Sequence, residues 1–188
     1  MGKTGFEQLL GVHAAPMLMG LKAASLLSFQ KSRFEDFDAL LDSYQNCFTC
    51  KGISIYRLSE GEEYVLILFY RASTLWRQLQ QPKAQVILAD CGYQPSGRLM
   101  DQLRYLQLRM RLQKSFPHEI GLFLGYPPDD VAGFITYKGK QFCYSGYWKV
   151  YANEQETRAL FDLYADCTEK FCTRLKDGAY LSDLVQAL

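Results

Sequence analysis

Two histidines, His13 and His118, are all that the 188 residues contain, so a three-histidine metal site is excluded. His118-Glu119 lacks the second histidine at helical spacing that a zincin requires. The count still permits two histidines and one carboxylate, from His13, His118 and Glu119, or a metal or haem carrier through the histidine pair. The expectation is no metal. Six cysteines are too few for a disulfide scaffold, which points to a reducing cytoplasm. Cys47-Phe-Thr-Cys50 has no second Cys-x-x-Cys to complete a zinc site. It also falls at a predicted helix C-terminus, where the dipole disfavours a thiolate. Cys167 and Cys172 lie about 140° apart around a helix and do not share a face.

A formal net charge of +1 supplies no field to draw the chain to nucleic acid or membrane. The apolar stretch from Leu9 to Leu21 is too short for a membrane span and contains His13 and Pro16. Gly-x-Ser-x-Gly, Walker and Rossmann fingerprints are absent. A pairing of His118 with Cys143 or Cys91 stays open, without a local signature.

What is abundant is aromatic residues, at 14%. They concentrate, with glycine and ionisable groups, in Phe116–Tyr151. Glu119–Tyr126 alternates as a strand does, with His118, Ile120, Leu122, Leu124 and Tyr126 on one face. Glu119, Gly121, Phe123 and Gly125 fall on the other, where the glycines leave a trough for a ligand or another backbone. Gly146–Tyr151 reads as a second strand, placing Tyr147, Lys149 and Tyr151 together. A carboxylate, a lysine and several phenols then converge if the two faces meet.

Elsewhere, Thr4 to Glu7 and Ser32 to Glu35 read as capping boxes. The first opens a short helix ending near Gly11, before Pro16 and Gly20 interrupt; the second opens an amphipathic helix to about Cys47. Ile53–Leu58 and Glu63–Tyr70 form a β-hairpin. Helices follow after Ser73, through Gly97–Lys114, from Pro127-Pro128 and after Asn153, with a short one from Tyr180. The basic residues Arg98, Arg104, Arg109, Arg111 and Lys114 spread around their helix as a solvated surface does. The order predicts an α+β or α/β fold: a single-domain sandwich over residues 1–188. Its sheet is small, mixed and about four-stranded, and includes the 53–70 hairpin.

The sequence around Phe-Pro-His-Glu-Ile-Gly-Leu-Phe-Leu-Gly-Tyr-Pro-Pro-Asp-Asp and Gly-Tyr-Trp-Lys-Val-Tyr resembles a bacterial family, domain of unknown function 3793. The segment with Pro16, Leu18, Gly20 and Lys22 is similar to that family's Pro-x-Leu-x-Gly-x-Lys stretch. The resemblance implies no activity. It marks Lys22, His118, Glu119, Gly121, Gly125, Tyr126, Asp130, Trp148, Lys149 and Tyr151 as motif positions.

The resulting expectation is a cytosolic small-molecule-binding protein or enzyme. Its site comprises residues 116–130 and 146–151 plus Lys22. His118, Glu119 and Lys149 are the catalytic candidates; Lys22, Gly121, Gly125, Tyr126, Tyr147 and Tyr151 are the ligand-binding ones. Lys149 or Lys22 would hold a negative charge on the ligand, and His118 would move protons. The rival is a non-catalytic module that docks a protein partner through its aromatics. No cofactor or oligomeric state is indicated.

Overall fold

The computed structural model describes residues 3–94, 97–113 and 116–187. The chain is mixed α+β and forms two compact units. One holds the chain up to Ala72 together with Tyr164 onward; the other is Ser73–Leu163.

In the first unit, β1 (Ala24–Gln30), β2 (Ile53–Glu60) and β3 (Tyr64–Arg71) form an antiparallel sheet in the order β1-β3-β2. The predicted hairpin is β2–β3, with a register shift between Arg57 and Ser59. Instead of one four-stranded mixed sheet there is this three-stranded antiparallel sheet and a separate two-stranded ribbon. The extra strand here is β1. Its serines and leucines follow no strict alternation, which hid it in the sequence.

Val65, Ile67 and Phe69 of β3 share a face by the strand period, and Leu27 and Phe29 of β1 join them in the core. α1 (Lys3–Leu18) and α2 (Phe37–Cys50) complete that core with Phe6, Leu10, Phe37, Leu41, Tyr44 and Phe48. α1 runs beyond the predicted stop and carries Pro16 inside it. The turn that follows it contains Gly20, whose φ of 80° suits glycine. The cap of α2 is Asp36, which accepts the Ala39 N–H at 2.9 Å, and not Ser32, which lies in a 3-10 turn.

In the second unit, α3 (Ala72–Leu79), α4 (Pro82–Asp90) and α5 (Leu99–Leu112) follow the predicted breaks. Lys114, one of the basic residues assigned to the α5 surface, lies outside the described residues. The expected strand at Glu119–Tyr126 is instead the short helix α6 (Ile120–Phe123). Its four residues are all buried, so no solvent-facing side existed for alternation to report. Ile120, Gly121 and Leu122 donate to the carbonyls of Pro117, His118 and Glu119, and Gly125, at φ 80°, turns the chain out. α7 (Pro128–Tyr137) follows and ends at left-handed Lys138 and Gly139. β4 (Tyr144–Ser145) and β5 (Lys149–Val150) make the ribbon, and α8 (Glu154–Lys176) and α9 (Leu181–Leu184) finish the chain.

Candidate functional site

The two signature segments meet around a cavity of about 400 Å³ in the second unit. Every described residue lining it comes from Phe116–Phe134 or Ser145–Lys149. α6 and α7 supply Ile120, Gly121, Val131 and Phe134; the turn into β5 supplies Tyr147, Trp148 and Lys149. The size and the apolar lining suit a small organic molecule.

Asp130 holds this wall together. It is 2% exposed. One carboxylate oxygen accepts the Tyr151 and Ala152 N–H groups at 2.7 and 3.1 Å, and the other accepts the Trp148 indole N–H at 2.7 Å. A buried carboxylate with three donors is well satisfied, and here it ties the start of α7 to the Trp148 turn and the chain leaving β5. Trp148 stacks on Tyr126 with centroids 4.6 Å apart and planes 25° apart, which gives an aromatic stack on the cavity wall. Phe161 meets the indole edge-on at 4.5 Å.

Glycine keeps the space open. A Cβ on Gly121 would stand 2.9 Å from Val131 and 3.0 Å from Tyr126. On Gly133 it would collide with Tyr151, which therefore packs directly on the α7 backbone. Tyr151 also stacks on Tyr137, with centroids 5.8 Å apart. Its hydroxyl is buried without a hydrogen-bond partner.

Among the described residues, His118 and Lys149 line the cavity besides Asp130 and the phenols of Tyr126 and Tyr147. His118 is exposed, and its ring meets Phe134 edge-on at 5.0 Å. The Lys149 ammonium donates to the Gly139 carbonyl at 2.6 Å and lies 4.8 Å from the Phe142 ring centroid. Among the described residues no carboxylate forms an ion pair with it.

Glu119 does not belong to this group. It is 1% exposed, ion-paired with Arg109, and accepts the Tyr93 hydroxyl at 3.1 Å. Arg109 also donates to the Cys91 carbonyl at 3.0 Å. Burial first, then the Glu119 charge and hydrogen bond, hold the Tyr93 phenol far above its ordinary range. The helical turn at 118–120 explains the separation: neighbours on such a turn point about 100° apart, so His118 faces the cavity while Glu119 faces α5. The expected meeting of Glu119 with Lys149 is thereby replaced by a meeting of Glu119 with Arg109, and Arg109 is no solvated surface residue.

Of the other candidates, Gly121, Tyr126 and Tyr147 line the cavity, whereas Gly125 shapes the turn after α6 and Tyr151 backs onto α7. Lys22 belongs to the first unit, just ahead of β1, where burial lowers its ammonium pKa to about 8. His13 is an exposed residue of α1 in that same unit. Among the described residues no group of three or more His, Cys, Asp or Glu side chains is placed to hold a metal. Burial also pushes up the thiols of Cys47 and Cys91. Cys143 donates its thiol to the Val150 carbonyl at 3.1 Å.

Sequence reasoning passed over Phe134, Val131 and Ser145 as lining residues. A signal was present for the first two, since Val131 and Phe134 are the inward positions of α7. No helix among the described residues is long and apolar enough to cross a membrane.

Residues 10–185 match the family described as "Protein of unknown function (DUF3793)", and the chain belongs to it. No curated protein and no solved structure matches the chain.

Proposed function

For this member of a family without an assigned activity, we propose a small-molecule-binding role, with the cavity between the two signature segments as the site. One observation carries the reading. The segments densest in glycine and aromatics enclose a cavity of about 400 Å³, with His118 and Lys149 on its wall. Lys149 supplies a positive contact for the ligand. His118 supplies an exposed imidazole that donates, accepts or carries a proton. Tyr126, Tyr147 and Trp148 supply ring surface, and Glu119 positions α6 through Arg109. The six cysteines are free, which supports a reducing cytoplasm as the setting.

The test is a thermal-shift screen of small aromatic and anionic molecules against the wild type and Ser145→Trp. Ser145 is an exposed lining position, so an indole there fills the mouth without entering the core. Compounds that stabilise the wild type are expected to lose their effect in the variant. Equal stabilisation of both proteins would place binding elsewhere.

A second reading has its own observation. Phe116 and Tyr147 line the cavity while remaining 50% and 47% exposed, as the anchors of a docking surface for a protein segment do. A pull-down partner that both Ser145→Trp and Tyr147→Ala release would favour that reading.

A further inference from the structure

Resting on the reading that the cavity is a binding site, we propose that its ligand is a flat aromatic monoanion. Its ring lies against the Tyr126–Trp148 pair and its carboxylate meets Lys149.

The charge comes from two lining residues with different surroundings. Asp130 and Lys149 cancel formally, but the Asp130 oxygens already accept three N–H donors. They offer little to a cationic ligand. Among the described residues the Lys149 ammonium has one hydrogen-bond acceptor, the Gly139 carbonyl, and otherwise lies over the Phe134 and Phe142 rings at 5.8 and 4.8 Å from their centroids. An ammonium beside an apolar cavity without a counter-ion attracts an anion strongly, because a charge-assisted hydrogen bond there escapes most competition from water.

The number of charges follows from what is absent from the wall. Among the described residues no arginine lines the cavity. α7 begins at Pro127-Pro128, and Pro128 has no N–H to present to an anion. Sites for phosphate groups converge several donors, whereas one lysine with a neighbouring imidazole matches one carboxylate.

The ring follows from the surface. Tyr126 and Trp148 stack on each other with planes 25° from parallel, and Phe134 and Val131 stand on the lining with them. Such walls pack a planar ring with little loss of contact.

Trp76→Phe leaves Trp148 as the sole tryptophan, and its fluorescence then reports the cavity wall. The experiment titrates 2-naphthoate, its neutral isostere 2-naphthamide and the cation 2-naphthylmethylammonium into this protein. The same titrations are run on versions carrying Lys149→Met or Lys149→Arg. Naphthoate is expected to bind about tenfold more tightly than naphthamide, the scale of one charged hydrogen bond. The preference is expected to vanish in Lys149→Met and to return in Lys149→Arg, which also controls for a folding defect. Equal affinity for acid and amide, tighter binding of the cation, or a preference that survives Lys149→Met overturns the ligand class and leaves the binding site standing. Failure of all three compounds to quench Trp148 saturably, in a protein with a cooperative melt, overturns the site itself and the ligand class with it.

Discussion

In the first unit Phe6 packs on Phe29, Phe34, Phe37 and Tyr44 with centroids 5.0–6.4 Å apart, all of them buried. In the second, Tyr126, Phe134 and Trp148 border a cavity of about 400 Å³. Each unit also holds a cation away from bulk water, and the two cations are treated differently. Arg71, 2% exposed, donates to the carbonyls of Met17, Leu18, Lys51 and Gln186 at 2.7–2.9 Å. Three of those carbonyls lie at the C-terminal ends of α1 and α2, the negative poles of the helix dipoles. Lys149 has a single carbonyl and a cavity. Aromatic richness therefore does not identify a site. A cation with a single carbonyl acceptor beside a cavity is what marks a candidate.

The contrast is sharpest if Arg71 is structural. Arg71→Met should cost about 3–5 kcal/mol in urea unfolding, because a buried guanidinium is lost and four carbonyls, two of them in buried hydrogen bonds, lose their donor. Naphthoate affinity of the protein that remains folded should be unchanged. A loss below about 1 kcal/mol would show that water replaces the guanidinium readily.

Asp130→Asn comes next. The amide keeps one acceptor oxygen where the carboxylate uses two, so either the indole or the backbone pair is released. The expected cost is about 2–3 kcal/mol, with a shift in Trp148 emission towards longer wavelength. Unchanged emission would mean that Asp130 does not hold the indole.

The smallest effect concerns pH and Lys22. Its folded pKa of about 8 lies below the unfolded value of 10.5, so the unfolded chain binds the extra proton between them. Stability contributed by this residue must then rise with pH across that window. From about pH 8 to about pH 9.5 the wild type should gain roughly 1–2 kcal/mol relative to Lys22→Met, since one pKa unit is worth about 1.4 kcal/mol. Comparison with the variant cancels the buried thiols and phenols, which act in the opposite direction. Parallel curves would remove the case for a strained Lys22.

Much of this was legible in the residues. The hairpin was plain because both arms are rich in β-branched and aromatic residues, and α3, α4 and α7 announced themselves through Pro82, Pro128 and Gly139. The two site segments stood out by composition. Their secondary structure did not, because Ile120–Phe123 is buried on every side and the alternation read there had no physical cause. That error carried Glu119 into the site and left Arg109 on the surface. β1 was hidden for a related reason: small and apolar residues on both faces carry neither a period of two nor one of 3.6. Arg71 ended a strand in the sequence, and nothing local could reveal that its acceptors come from residues as distant as Met17 and Gln186.

The central claim is that Trp148 and its neighbours form a binding wall. The chain has two tryptophans, Trp76 in α3 and Trp148 on the cavity. A ¹H–¹⁵N spectrum of the protein therefore contains two indole N–H signals, assigned by Trp76→Phe. Titration with 2-naphthoate is expected to move the Trp148 signal saturably and leave the Trp76 signal in place. Movement of Trp76 with Trp148 unmoved, or of neither, would contradict the account.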